Sequence, residues 1–247
     1  LDRKSPRLAI FMPPRHGKSE LVSRHTPAWF VGRNPDLRVI LSSYESGFAE
    51  TWGRKARDLV AEFGPKYFGV GLDPASRAAH EWGIAGHSGG MDSIGVGGPA
   101  TGKGASLWVI DDPVKDAKQA NSEVYRESTW DWYRSVGYTR LAPGGGILLM
   151  LTRWHEEDLA GMVLKHAGET GESWDVVRLP ALAAENDPLG RRPGEALWPE
   201  RYPVADLLRI KATLGSYWWS ALYGQAPMPN DGGTFKRSWL RYYRRGG

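Results

Sequence analysis

Cysteine is absent from all 247 residues of the chain. Disulfides, thiolate metal sites and a cysteine nucleophile are therefore excluded, and a reducing compartment is compatible with the composition. No apolar run is long enough to span a bilayer, no segment reads as a secretory leader, and no internal repeat is present. Neither sign of charge is scarce: 32 Lys/Arg against 28 Asp/Glu leave a net charge of +4, which mildly favours a polyanionic partner. With 41% hydrophobic and 24% charged residues the chain has the composition of a folded globular protein, which excludes wholesale disorder. Its length fits one large domain, or a domain with a small appendage. The 12 tryptophans are expected mostly in the core.

Short apolar runs alternate with helical patterns. Strands are expected at 7–12, 38–43, 107–110, 146–152 and 174–179. Helices are expected at 19–31, 45–63, 121–133 and 156–166, the second with Phe48, Trp52, Ala56, Leu59 and Phe63 at helical spacing. The glycine-rich stretch 82–104 reads as short antiparallel strands and turns. Beyond Pro180 the chain is proline-rich, an ordered but irregular connector to Pro203, with helical patches near 204–214 and 217–223. This order predicts an α/β fold, a mostly parallel sheet flanked by helices. The ends, a strand starting at Arg7 and a terminus on glycines, suggest a piece of a longer chain.

Met12-Pro13-Pro14-Arg15-His16-Gly17-Lys18-Ser19 lies between a strand and a helix, the context of a phosphate-binding loop. Gly17 lets the backbone approach phosphates, and amides at the new helix's N-terminus point at the anion. Lys18, expected in an exposed loop, can bridge the terminal phosphates, and the Ser19 hydroxyl can ligate magnesium. Pro14, His16 and Glu20 complete the nucleotide-contacting set. Arg15 adds a cation that can reach the γ-phosphate; the alternative is an exposed loop arginine. The pattern is a variant, because Met12 stands where the first glycine belongs.

Leu107-Trp108-Val109-Ile110 ends on Asp111-Asp112, two acids at the carboxyl end of a strand, where ligands of parallel sheets bind. Asp111 is the candidate magnesium ligand. Asp112 is the candidate base for the attacking water, with Asp116 as its rival, since glutamate more often fills that role. His155 and Glu156 do not form a zinc motif, because no second histidine follows at helical spacing before His166.

Pro13–Ser19, Ser42-Ser43-Tyr44, Thr101–Ala105 leading into Ile110–Pro113, and Leu151-Thr152-Arg153-Trp154-His155-Glu156-Glu157-Asp158-Leu159 resemble the ordered motifs of large terminase subunits of tailed phages. Tyr223–Pro227 and Gly232–Lys236 are similar to the segment that closes the motor domain. The resemblance covers nearly the whole chain. It implies a P-loop NTPase of the additional-strand, catalytic-glutamate type, with 1–180 as the ATPase core and 181–247 as a lid-like or linker subdomain. It implies ATP and Mg2+ as ligands and hydrolysis coupled to translocation of double-stranded DNA. It further implies a homo-oligomeric ring on the capsid portal, with portal protein and small terminase subunit as partners, in the host cytoplasm. The family's nuclease domain is expected to be missing, because after Asp206 the only acid is Asp231 and a two-metal nuclease needs several.

In that family the strand end at Thr152 and Arg153 senses the γ-phosphate and relays its loss; the bland alternative pairs Arg153 with Glu156 or Glu157. A cation donated to a neighbouring subunit is implied near Lys103, with Arg134 and Arg140 as rivals. From Leu207 onward seven Lys/Arg face one Asp, a stretch suited to salt-sensitive, sequence-nonspecific DNA contact or to a solvated face. Another P-loop DNA-dependent ATPase of helicase type, or a non-catalytic nucleic-acid-binding module, are the competing functions. The chain is too short for two helicase halves.

Overall fold

A computed structural model describes residues 7–98, 102 and 104–228. Its strands are β1 (Arg7–Phe11), β2 (Arg38–Ser43), β3 (Leu72–Arg77), β4 (Glu81–Ile84), β5 (Gly90–Gly95), β6 (Ala105–Asp111), β7 (Leu141–Leu151) and β8 (Asp175–Arg178). Its α-helices are α1 (Thr26–Arg33), α2 (Ser46–Tyr67), α3 (Ala117–Asn121), α4 (Glu123–Trp132), α5 (Leu159–Thr170) and α6 (Val204–Trp218). One sheet joins the strands in the order β3-β4-β5-β2-β6-β7-β1-β8. From β5 to β8 in that order every neighbouring pair is parallel, and only β4 runs antiparallel to its neighbours, β3 and β5.

The central strands are apolar along their length because helices cover both faces. One face buries Val39, Leu41, Val109 and Met150 against α1 and α2. The other buries Ile40, Trp108, Ile110, Leu149 and Leu151 with Trp132, Tyr133 and Leu159. Strand β7 stands between β1, which leads into the loop 12–19, and β6, which ends on Asp111 and Asp112. That inserted strand is the additional-strand topology of the P-loop fold.

Three expectations need correction. The glycine-rich stretch is only partly antiparallel: β5 pairs antiparallel with β4 but parallel with β2. The fully buried stripe of α2 is Ala49, Gly53, Ala56, Val60 and Gly64; of the expected positions Ala56 is in it, Trp52 and Leu59 pack half-buried against the same core, and Phe63 is exposed. The small residues let α2 lie close on the sheet: the Trp82 indole donates to the Gly53 carbonyl at 3.1 Å, and a side chain at Gly53 would collide with Ser93. Among the described tryptophans only Trp82, Trp108 and Trp132 are buried; Trp29 and Trp198 are exposed, and Trp130 and Trp154 are half-covered in ring contacts.

Beyond β8 the chain forms a small cluster of its own. Ala181, Ala196 and Leu207 are buried together with Leu182, Tyr202, Ile210, Trp219 and Tyr223 packed around them. A π-helical turn, Trp219–Tyr223, follows α6.

Candidate functional site

The carboxyl ends of β1, β6 and β7 converge. After β1 the chain turns through 12–19 and enters a π-helical turn, Glu20–His25. Arg15 at φ 59 and Gly17 at φ 84 are both left-handed. Left-handed residues within a tight turn swing successive amides toward one side, the geometry of an anion-binding nest. The loop is tied to β7: the Met12 amide donates to the Leu151 carbonyl at 3.2 Å, and the Thr152 hydroxyl donates to the Met12 carbonyl at 3.0 Å.

Lys18 is not exposed, contrary to expectation. It is 8% accessible, its ammonium 2.7 Å from Asp112 Oδ2 and 2.9 Å from Thr152 Oγ1. The Thr152 amide donates to Asp112 Oδ1 at 3.0 Å. Asp112 itself sits at φ 45, a conformation that Asp and Asn tolerate better than most residues. Its carbonyl accepts from the Tyr44 amide at 3.2 Å, so β2, β6 and β7 all position this carboxylate.

Asp111 lies beside it and is fully buried. Ser23 donates to its Oδ2 at 2.7 Å, and the Ser19 side chain lies near enough to lower its pKa. Burial, and then the negative charge of Asp112, push the Asp111 carboxyl up to about 6. Its Oδ1 is buried without a hydrogen-bond partner. An orphaned carboxylate oxygen next to a serine hydroxyl is a donor set that fits a hard divalent cation such as Mg2+.

Asp116 is exposed and caps α3, accepting from the Gln119 amide at 3.0 Å. Arg15 is exposed, and Pro14 is half-buried. Glu20 pairs with Arg24 at 2.9 Å and lies 3.6 Å from Lys55. Lys103 lies outside the described residues. Of its rivals, Arg134 pairs with exposed Asp131 at 2.5 Å. Arg140 precedes β7 at the strand end remote from the loop, a strand of 11 residues or roughly 35 Å.

Arg153 is buried, and its ion-pair partner is neither Glu156 nor Glu157. Its Nε donates to both oxygens of Asp158, at 2.8 and 3.0 Å, and its guanidinium packs 4.9 Å from the Phe11 ring. Asp158 in turn caps α5 through the Gly161 amide at 3.1 Å. The Arg153 backbone amide donates to Gln225 Oε1 at 3.1 Å.

His16 is 5% accessible, and burial, the largest influence, lowers its pKa. Its ring stacks on Tyr202, centroids 4.6 Å apart. Sequence reasoning assigned no role to Ser23 or to the stretch around Trp198 and Tyr202, nor to Asp158 and Gln225, although these two lie within the motifs Leu151–Leu159 and Tyr223–Pro227. The one signal in the sequence was the cluster Trp198-Pro199-Glu200-Arg201-Tyr202, aromatic and cationic inside a connector.

A family model described as terminase large subunit, T4likevirus-type, N-terminal, matches residues 9–242. A crystal structure of the HK97 bacteriophage large terminase superposes with a TM-score of 0.50 at 13% identity, covering 87% of this chain. The chain spans 46% of that terminase's length. At that identity the likeness concerns the fold. No curated protein matches the chain.

Proposed function

The chain belongs to the terminase large subunit family, N-terminal part, and from that premise we propose that it is an ATP-hydrolysing motor that drives double-stranded DNA into a procapsid. The carrying observation is the meeting of Lys18, Asp112 and Thr152 at the ends of β1, β6 and β7, with Asp111 beside them.

In this reading the loop 12–19 seats the ATP polyphosphate on its amides, Lys18 and the nearby Pro14, Arg15, His16 and Glu20. Ser19 and Asp111 would hold magnesium, which when bound neutralises phosphate charge. Asp112 orients a water and accepts its proton as the water oxygen bonds to the γ-phosphorus and the bond to the ADP oxygen breaks. Asp116 is the alternative base. Thr152, bonded to Lys18 and Asp112, registers whether phosphate is present, and Arg153 beside it carries that state onward. Lys103 is proposed as the cation offered to a neighbouring subunit.

Residues 1–180 form the ATPase core and 181–247 the lid or linker in this reading. A homo-oligomeric ring at the procapsid portal, in the host cytoplasm, would work with portal protein, small terminase subunit and DNA. No helix among the described residues is long and apolar enough to cross a membrane. Nuclease activity is not proposed for these residues.

The test is ATP turnover by the purified chain with Mg2+, with and without double-stranded DNA. Mg2+-dependent hydrolysis that is lost in Lys18→Ala is expected. A folded chain that binds DNA but neither binds nor hydrolyses ATP would instead be a nucleic-acid-binding module.

A further inference from the structure

The proline-rich stretch after Pro180 crosses the phosphate loop. The Trp198 ring lies 3.8 Å from where a side chain on Gly17 would begin, and Tyr202 stacks on His16 at an interplanar angle of 19°. Between them, Arg201 rests its guanidinium 5.1 Å from the Trp198 ring centroid and 5.8 Å from that of Tyr202. The turn is fixed by the Trp198 carbonyl, which accepts from the amides of Arg201 at 3.2 Å and Tyr202 at 2.8 Å.

The other described arginines of this part of the chain have carboxylate partners. Arg191 pairs with Asp187, Arg192 with Glu195 and Arg209 with Asp206. Among the described residues Arg201 has none. It is exposed, held on aromatic faces, and close enough to the loop to raise the positive potential at His16. Two neighbouring features suit a ligand: His16 Nε2 is buried without a hydrogen-bond partner, and Arg15 and Gly17 have the left-handed backbone of an anion-binding nest. A guanidinium held beside aromatic rings and free of a carboxylate has N–H donors to offer, and a phosphate oxygen suits them.

We propose that Arg201 is a nucleotide-binding residue supplied by the stretch after Pro180, its guanidinium contacting the polyphosphate seated in loop 12–19 while Trp198 and Tyr202 position it. This rests on the nucleotide-site reading above. It adds a cation from outside the core, so polyphosphate binding ties residues 198–202 more firmly to the loop they already touch.

The experiment is calorimetric titration of the full 247-residue chain with AMP-PNP and Mg2+, and separately with inorganic tripolyphosphate. Arg201→Ala is expected to weaken both ligands about tenfold, as loss of one charge-assisted contact does, with an unchanged melting temperature. Arg201→Lys should recover part of the loss, and Arg209→Ala should bind both ligands with the parent affinity, because Arg209 is committed to Asp206. Loss of binding in Lys18→Ala with less than about a twofold change in Arg201→Ala overturns the inference and leaves the loop reading intact. Wild-type affinity in a folded Lys18→Ala overturns the loop reading itself. Loss of AMP-PNP affinity without loss for tripolyphosphate would place Arg201 on the nucleoside and overturn the phosphate contact. Loss of salt-sensitive DNA binding at undiminished AMP-PNP affinity would assign it to a DNA surface.

Discussion

The ammonium of Lys18 and the carboxylate of Asp112 lie 2.7 Å apart, joined through Thr152, which touches both. The loop's cation and the candidate base thus neutralise each other, and a phosphate entering the loop must compete with Asp112 for Lys18. Lys18→Ala should therefore abolish nucleotide binding and turnover. Because Lys18 is 8% accessible, the change also costs stability, about 1–3 kcal/mol, by leaving Asp112 with one partner fewer. Calorimetry with AMP-PNP and a denaturant midpoint on one preparation check both parts. Unaltered hydrolysis by the folded variant defeats the site.

Asp112 and Asp116 are separable by isosteric amides. Asn tolerates the left-handed backbone of position 112 and also serves as a helix cap at 116, so both variants should fold. Asp112→Asn should retain AMP-PNP binding and slow hydrolysis by about 100-fold or more. Asp116→Asn should hydrolyse at close to the parent rate. The reverse result, measured as steady-state phosphate release, transfers the base to Asp116.

The parallel core was legible because its strands are continuous apolar runs: Val39–Leu41, Trp108–Ile110 and Leu148–Leu151 have no polar alternative to burial. The loop and the acids at the end of β6 were legible because each is contiguous in sequence. What escaped depends on contacts between distant positions. Burial of Lys18 comes from β7 and β6, 134 residues away in the case of Thr152. Asp158 captures Arg153 rather than the nearer glutamates because it also caps α5, which fixes its carboxylate. The stripe of α2 was misjudged because close packing selected Gly53 and Gly64 over the larger apolar side chains beside them.

Asp111 gives a pH-dependent prediction for the nucleotide-free, metal-free protein. Its carboxyl is raised to about 6 from 3.8, chiefly by burial. Between those values the folded state holds more proton than the unfolded chain, so this group's contribution to stability declines as pH rises through the window. At pH 7 the buried charge is a net cost, and Asp111→Asn should stabilise the metal-free protein by about 1–3 kcal/mol. The gain should vanish near pH 4, where both proteins are neutral at this position. Thermal melts at the two pH values, with EDTA present, check the sign. Equal stabilisation at both values would rule out ionisation as the cause. The same variant should lose Mg2+-dependent turnover.

Arg153 has two separate attachments. Its guanidinium is committed to Asp158, which is 1% accessible, and its amide donates to Gln225. Gln225 is buried at φ 55, and its side-chain nitrogen donates back to the Leu222 carbonyl. Thus the end of β7, where Thr152 touches Lys18, is pinned to the turn that follows α6. Arg153→Ala should act first on stability, by about 3–5 kcal/mol, because it leaves a buried carboxylate unpaired. Its hydrolysis and DNA handling should fall together with the melting temperature. Gln225→Gly is the cleaner probe: it removes the side chain, suits the left-handed backbone and leaves the Arg153–Asp158 pair untouched. AMP-PNP should still bind, because Lys18 and Ser19 remain, while nucleotide-dependent change in DNA affinity should disappear. DNA affinity measured with and without AMP-PNP, beside ATP turnover and a melt, separates these outcomes. If Gln225→Gly keeps the full nucleotide response and Arg153→Ala loses it at an unchanged melting temperature, the signal passes through the Arg153 side chain instead.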